Sequence, residues 1–583
     1  MISTTLFPSA AERVTTERFY GLDRRSGAAD GFWSECTNMS SRLFPLAAQR
    51  PRRAVQAVLN APGGLIGKDA LGWIENGTLY FAGLPTGLRG ITPGEKQLVS
   101  MGAYIVIFPD KLYYNTADPT DYGSLEAEYV STGAVTLAPC DADGAEITPL
   151  PSAVRPESAD NGVYWADSSE RKMYRYSAAA GQWAELPSCY TRVGFTSLGT
   201  LGTVLSAGDG VTVSGIADEG LVGEKLIHAL GGGASESDYA VLTGFCSAPR
   251  TFFNAVRIKR SVPDMDFVCQ SGNRLWGCFY GRSGGRTVNE LYCCALGDFK
   301  NWRRFEGLAG DSWAASVGAD GPWTGAVNYL GTPVFFKERS LHRIEPSPGG
   351  AHRVTELVCR GVQRGSAKSL CVVGETLFYK SRRDICVWEG GFPESVSATL
   401  GDEEFTDACA GTAGGRYYIS MRGRQGFRLF VYDAALGVWC AEDALEARDF
   451  AAVGGELWCL DAAGRLISMF GSAGTPEVPV PWSFTSTIMH YGTAEEKYVG
   501  RICLRMSLES GARATAEIEY DSSGVWQSAG EVTGSGVTRS FLLPIVPRRC
   551  DHMRLRLSGT GEVRVYSISR MVEAGSDVPE GGA

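Results

Sequence analysis

One local pattern restricts the fold more than any other: a short turn through glycine that delivers a tryptophan onto the next strand. Tyr432-Asp-Ala-Ala-Leu-Gly437-Val-Trp439 and Tyr176-Ser-Ala-Ala-Ala-Gly181-Gln-Trp183 share it, with looser copies at Tyr520-Asp-Ser-Ser-Gly524-Val-Trp526 and Leu296-Gly297-Asp-Phe-Lys-Asn-Trp302. A hairpin of this kind suits the outer strands of a propeller blade. A second pattern, glycine shortly before an aromatic or leucine-bearing strand, stands at Gly374, Gly415 and Gly455, a spacing of about 40 residues that matches propeller repeats. Strand-length apolar runs flanked by turn residues recur along the chain, among them Ala103-Tyr-Ile-Val-Ile-Phe108, Glu375-Thr-Leu-Phe-Tyr379 and Glu456-Leu-Trp-Cys-Leu460. The 583 residues include 73 glycines and 26 prolines, with only 21% charged, which excludes a helical bundle, a coiled coil or a disordered chain.

The sequence therefore predicts an all-β fold: a β-propeller with an inserted small β domain and a C-terminal β-sandwich. Residues 1–58 read as an N-terminal arm, 59–120 as the first part of the propeller, and 121–260 as the inserted β-rich domain. Residues 261–472 read as the rest of the propeller, 482–572 as the sandwich, and 573–583 as a flexible tail. By spacing, about five blades fit between 262 and 471 and about one more in 60–118. The best short helix candidate runs from residue 220 to 230. In the sandwich, Arg501, Arg505, Arg554, Arg556 and Arg564 alternate with apolar residues, as on a wetted sheet face or an assembly interface, where arginine is enriched.

The net charge of -10 argues against a protein that holds nucleic acid by neutralising phosphates. The first 22 residues show no basic leader followed by an apolar run, and no apolar run is long enough to span a bilayer. Sixteen cysteines and five histidines form no C-x-x-C or H-x-x-x-H pair, so neither a metal nor another cofactor is expected, and the cysteines read as buried and reduced. Phosphate-loop, nucleophile-elbow and zinc-protease motifs are absent. Asp264-Met-Asp266 offers two carboxylates for acid–base work but reads more simply as a loop cap; Asp402-Glu403-Glu404 reads as a solvated run, and Asp141-Ala-Asp-Gly144 as a turn. The chain is read as not an enzyme.

Three groups of stretches carry a resemblance. The first is Phe19-Tyr-Gly-Leu22 with Gly31-Phe-Trp-Ser-Glu-Cys-Thr-Asn38-Met39, Pro45 and Arg50-Pro-Arg-Arg53. The second is Val262-Pro-Asp-Met-Asp-Phe267, Asn273-Arg-Leu-Trp-Gly-Cys278, and Cys359-Arg-Gly-Val362 with Lys368-Ser-Leu370. The third is Val546-Pro-Arg-Arg-Cys-Asp-His552 with Arg554-Leu-Arg-Leu-Ser-Gly559. Together they resemble the nozzle, hub or stabilisation-type propeller proteins of bacteriophage tails, from viruses and prophages of gut Firmicutes. The resemblance implies a virion component: a homo-oligomeric ring in the tail or head–tail connection, made in the bacterial cytoplasm. Such a ring contacts neighbouring tail, adaptor or portal proteins and passes genomic DNA through its channel without binding it specifically. A tail-tip protein that binds host glycan and a propeller that degrades glycan are the alternatives.

Overall fold

The computed structural model describes residues 11–574, apart from 151, 284 and 493–495. Among these, helix is confined to the single turn Leu201–Val204 and three 3-10 turns; everything else regular is strand. The all-β class holds, and so does its propeller.

Seven antiparallel sheets make the blades. Their innermost strands are Pro62–Gly67, Gln97–Met101, Phe267–Ser271, Gly325–Tyr329, Cys371–Val373, Thr406–Ala413 and Ala447–Val453. Each packs against the next around a ring, with the turn Ala367–Ser369 carrying contact between the fourth and fifth blades, and the seventh returns to the first. The local cause is a two-residue turn after the inner strand. Gly272-Asn273, Gly414-Gly415 and Gly454-Gly455 hold both residues at positive φ, the twist that a tight hairpin needs and that glycine and asparagine tolerate. The first blade departs from this, since a three-residue loop (68–70) joins its first two strands. That irregularity explains why one blade was expected in 60–118 where two occur.

Only one of the four glycine–tryptophan hairpins serves a blade. Trp439 lies on the outer strand Val438–Ala441 of blade six, buried, with its indole N–H donating to the Val396 carbonyl at 2.7 Å. Trp183 belongs to a three-stranded sheet of the insertion and Trp526 to the sandwich, while Trp302 sits in a loop of blade three.

Closure comes from the other end of the chain. Ala54–Val58 is the outer strand of blade seven, paired to Arg465–Ser468. Residues 12–49 are therefore not a separate arm. Their strands join the sandwich: Glu12–Thr16 pairs with Val563–Ala574, and Phe32–Thr37 with Pro481–Ser486. Alternation in Phe32–Thr37 places Trp33 and Cys36 in the core and covers what would otherwise be an open sheet edge. The sandwich has one sheet of seven strands and one of six around an apolar core, which runs on to Phe378, Tyr417 and Trp439 in blades five and six. Buried ion pairs reinforce this junction: Arg53 binds Glu442 at 2.6 Å and Asp443 at 2.8 Å, and Arg50 binds Glu477 at 2.9 Å.

Between blades two and three, an eight-stranded sheet with its own core (Leu137, Val193, Phe195, Ile227, Leu242, Ile258) forms the insertion. The helix expected at 220–230 is instead the turn Glu219–Leu221 followed by the strand Gly223–Gly233. Pairing on both sides, with Gly210–Ser214 and Glu236–Thr243, outweighs a helical spacing of apolar residues, and Gly231 leaves room for the Tyr239 ring. Every cysteine is free, and all but Cys189, Cys359, Cys371 and Cys503 are buried. Among the described residues no helix is long and apolar enough to cross a membrane. The expected tail ends the last strand at 573–574; residues 575–583 lie outside the described residues.

Candidate functional site

The inner strands open onto a cavity of about 850 Å³ at the end of the propeller where they begin. Two bulges shape its wall. The pairing of blade six is offset between Thr406 and Cys409, and that of blade seven between Ala447 and Asp449. A bulge adds an unpaired residue and re-aims its side chains. Here Asp407, at φ +50°, lines the cavity, and Asp449 stands behind the wall, bonded to the lining residue Lys368.

Asp449 is the best-held acid. Its carboxylate accepts the Leu65 amide at 3.1 Å and the Lys368 ammonium at 3.1 Å. Lys368 also pairs with Glu95 at 2.6 Å and donates to the Arg448 carbonyl at 3.0 Å. Burial pushes the Asp449 carboxyl above its usual range, and the Lys368 charge offsets only part of this. Burial works against the Lys368 ammonium too, but Asp449, Cys409 and Glu95 together outweigh it and hold that pKa above the ordinary lysine value. A second acid, Asp266 on the cavity wall, is also raised by the surrounding protein, against the hydrogen bond from the Tyr280 amide at 2.8 Å and the Lys337 charge. The remaining charges at the mouth are matched, Arg448 with Glu446 at 2.9 Å and Arg422 with Asp407 at 4.0 Å. Burial thus raises two carboxyls, one on the cavity wall and one held behind it by Lys368, a pattern that recurs at functional sites.

The sequence-predicted acids divide. Asp266 reaches the cavity, but its neighbour Asp264 turns away to Lys111 at 2.8 Å. Glu403 of the acidic run pairs with Arg24 at 3.0 Å, beside the sandwich. Asp141 accepts the amides of Asp143 and Ala145 and is a turn. The five arginines do not share a surface. Arg554 and Arg556 project from the six-stranded sheet, pairing with Glu519 and Glu517 and flanking the Trp526 ring. Arg501, Arg505 and Arg564 lie exposed on the seven-stranded sheet, with the apolar core between the two sets. That Glu95, Lys368, Asp407 and Asp449 come together was not readable from the sequence, because they belong to four blades. Registering the blades on their glycine turns would have placed all four at the same end. Among the described residues no group of three or more potential ligands is placed to hold a metal ion.

No protein-family description matches the chain, and no curated protein does. Among solved structures it is similar to one named a glycoside hydrolase, 10% identical over 51% of this chain and 96% of that one, with a TM-score of 0.20. It is similar also to a family 43 arabinoxylan arabinofuranohydrolase from Bacillus subtilis, solved in complex with cellotetraose. That match is 10% identical over 52% of this chain and 94% of the other, again with a TM-score of 0.20. An endosialidase of phage phi92 matches over 79% of this chain and 61% of its own, 12% identical, with a TM-score of 0.17. The expectation of a chain without enzymatic activity is not matched by these neighbours, which are named as glycoside hydrolases and an endosialidase. At such TM-scores they carry no particular activity over to it.

Proposed function

We propose that the protein cleaves glycosidic bonds of a carbohydrate bound in the axial cavity. The observation that carries this is a raised carboxyl, Asp266, on the wall of a cavity large enough for a short saccharide, with a second raised carboxyl, Asp449, held just behind the wall by Lys368. Glycoside hydrolysis asks for two such groups, one to protonate the leaving oxygen and one to act as base or nucleophile. Asp266, with no cation in direct hydrogen-bond contact among the described residues, suits the acid. Asp449, with Lys368 beside it favouring the charged form, suits the second role. The test is release of reducing ends from a panel of xylans, arabinans and sialylated polymers. Wild type should release them, and Asp449→Asn and Asp266→Asn should each lower kcat by at least roughly a hundredfold. A wild type that releases nothing, or variants as fast as wild type, would refute the reading.

A second reading, a ring subunit of a phage tail, is supported by a different part of the molecule. The first and last stretches that resemble tail proteins lie mostly in the sandwich and its junction, away from the cavity. Location on a tail and action on glycan are thus compatible. Light scattering of the purified chain should give a mass of several copies, and a strict monomer with and without tail proteins would exclude the ring.

A further inference from the structure

We propose a second carbohydrate-binding site, in the cleft between the inserted domain and blade three, distinct from the axial cavity and independent of any catalysis there. The cleft encloses about 560 Å³, within the range of roughly 300–1,000 Å³ common for small-ligand sites. One wall is the insertion, through Tyr190, Glu224 and His228. The other is the loop Arg303, Phe305 and Glu306, which follows the third strand of blade three.

The loop is built rather than slack. The buried Asp311 carboxylate accepts the amides of Glu306 at 2.5 Å and Leu308 at 3.0 Å. Ser312 closes it by donating its amide to the Arg304 carbonyl at 2.9 Å and its hydroxyl to the Asn301 carbonyl at 3.0 Å. Asn301 in turn accepts the Gly210 amide at 2.9 Å and so fixes the loop to the insertion. Gly210 packs so closely that a Cβ there would stand 2.5 Å from the Arg303 carbonyl oxygen. Both walls therefore present their groups in fixed positions, and pre-arrangement of this kind reduces the ordering cost of binding.

What they present is mixed. His228 Nε2 lies 2.8 Å from the Thr243 hydroxyl and 3.4 Å from the Glu306 carboxylate, with the Tyr190 ring edge-on to the imidazole. Arg303 pairs with Glu224 across the cleft, and both remain over a third exposed. The Phe305 ring is 52% exposed. Strong acceptors, strong donors and an open aromatic face within one cleft match a polyol ring, whose hydroxyls both donate and accept and whose C–H face is apolar. A phosphate or other simple anion fits less well, because Glu224 and Glu306 stand among the donors.

The test uses the full-length protein on an array printed with bacterial surface polysaccharides, sialylated glycans and plant xylans. Wild type should bind at least one class. For the best-bound glycan, Phe305→Ala and Glu306→Gln should each weaken binding at least tenfold, while Phe392→Ala, an exposed side chain of blade five outside both sites, stays within twofold of wild type. Phe305 and Glu306 are surface side chains, so their replacement leaves the cores intact. Failure of wild type to bind any printed glycan, or cleft variants that bind as wild type does, overturns the proposal. Failure of the axial reading is separate: it shows as absent cleavage, whatever the array records.

Discussion

Lys380 gives the sharpest energetic prediction. It lies on the second strand of blade five, Thr376–Lys380, and is 1% exposed. Its ammonium donates to the Ser381 carbonyl at 2.5 Å. Burial depresses its pKa from the ordinary 10.5 to about 8, with Asp384, Cys386 and Glu404 opposing the shift only in part. A gap of about 2.5, at about 1.4 kcal/mol per pKa unit, means that folding with a charged Lys380 costs about 3 kcal/mol at pH 7. Lys380→Met keeps the buried stem and removes this cost, but leaves the Ser381 carbonyl without its donor, a loss of about 1–2 kcal/mol. The variant should therefore be more stable than wild type by about 1–2 kcal/mol at pH 7. Between pH 8 and 10.5 the unfolded chain holds a proton that the native one has released, so wild-type stability rises with pH relative to the variant. By about pH 10.5 the advantage should vanish or reverse. Urea unfolding of both proteins at pH 7 and pH 10.5, with reductant for the cysteines, measures the difference of differences. A variant less stable at pH 7, or a gap that does not change with pH, would refute the reasoning.

Three more outcomes follow from the same structure. Arg53→Ala removes the shared partner of Glu442 and Asp443 and should cost about 3–5 kcal/mol in urea unfolding, as loss of one member of a buried ion pair does. Gly455→Val forces a β-branched residue to φ +80° in the turn of blade seven, and should lower the unfolding free energy by about 1–3 kcal/mol in urea titration, against little change for Gly391→Ala, whose added Cβ meets nothing within 4 Å. Burial opposes ionisation of Asp30, yet Arg570 at 2.6 Å, the Thr16 hydroxyl and the Gly31 amide hold its pKa below the usual 3.8. Its contribution is present above pH 3.8 and lost as pH falls through the lower native value, so Asp30→Asn should flatten the acid limb of the stability curve.

The propeller was legible where its turns repeat. Gly374, Gly415 and Gly455 all fall in the turn after the inner strand of blades five to seven, and tight turns leave a local trace because few residues accept positive φ. Tryptophan misled, since Trp183 and Trp526 use the same hairpin device in sheets that are not blades. Strand exchange between Glu12 and Val572, or Trp33 and Ser486, leaves no short-range signal, so residues 12–49 looked like an arm. The axial site is a product of closure. Asp266 was visible as one of two nearby acids, but the bulge that presents Asp449 depends on pairing geometry rather than on residue type.

The nesting of the chain has a consequence for how it is made. The sandwich is written in two parts, residues 12–49 and 481–574, and the propeller lies wholly between them with the insertion inside it. Strands that leave the ribosome first must wait for those that leave last, while blades of local hairpins form in the interval. Ala54–Val58 waits as well, until Arg465–Ser468 arrives to close the ring. Trp33, Met39 and Val55 therefore spend most of synthesis without their partners. Shielding that early segment, rather than speeding any blade, is what a chaperone would have to accomplish for this protein.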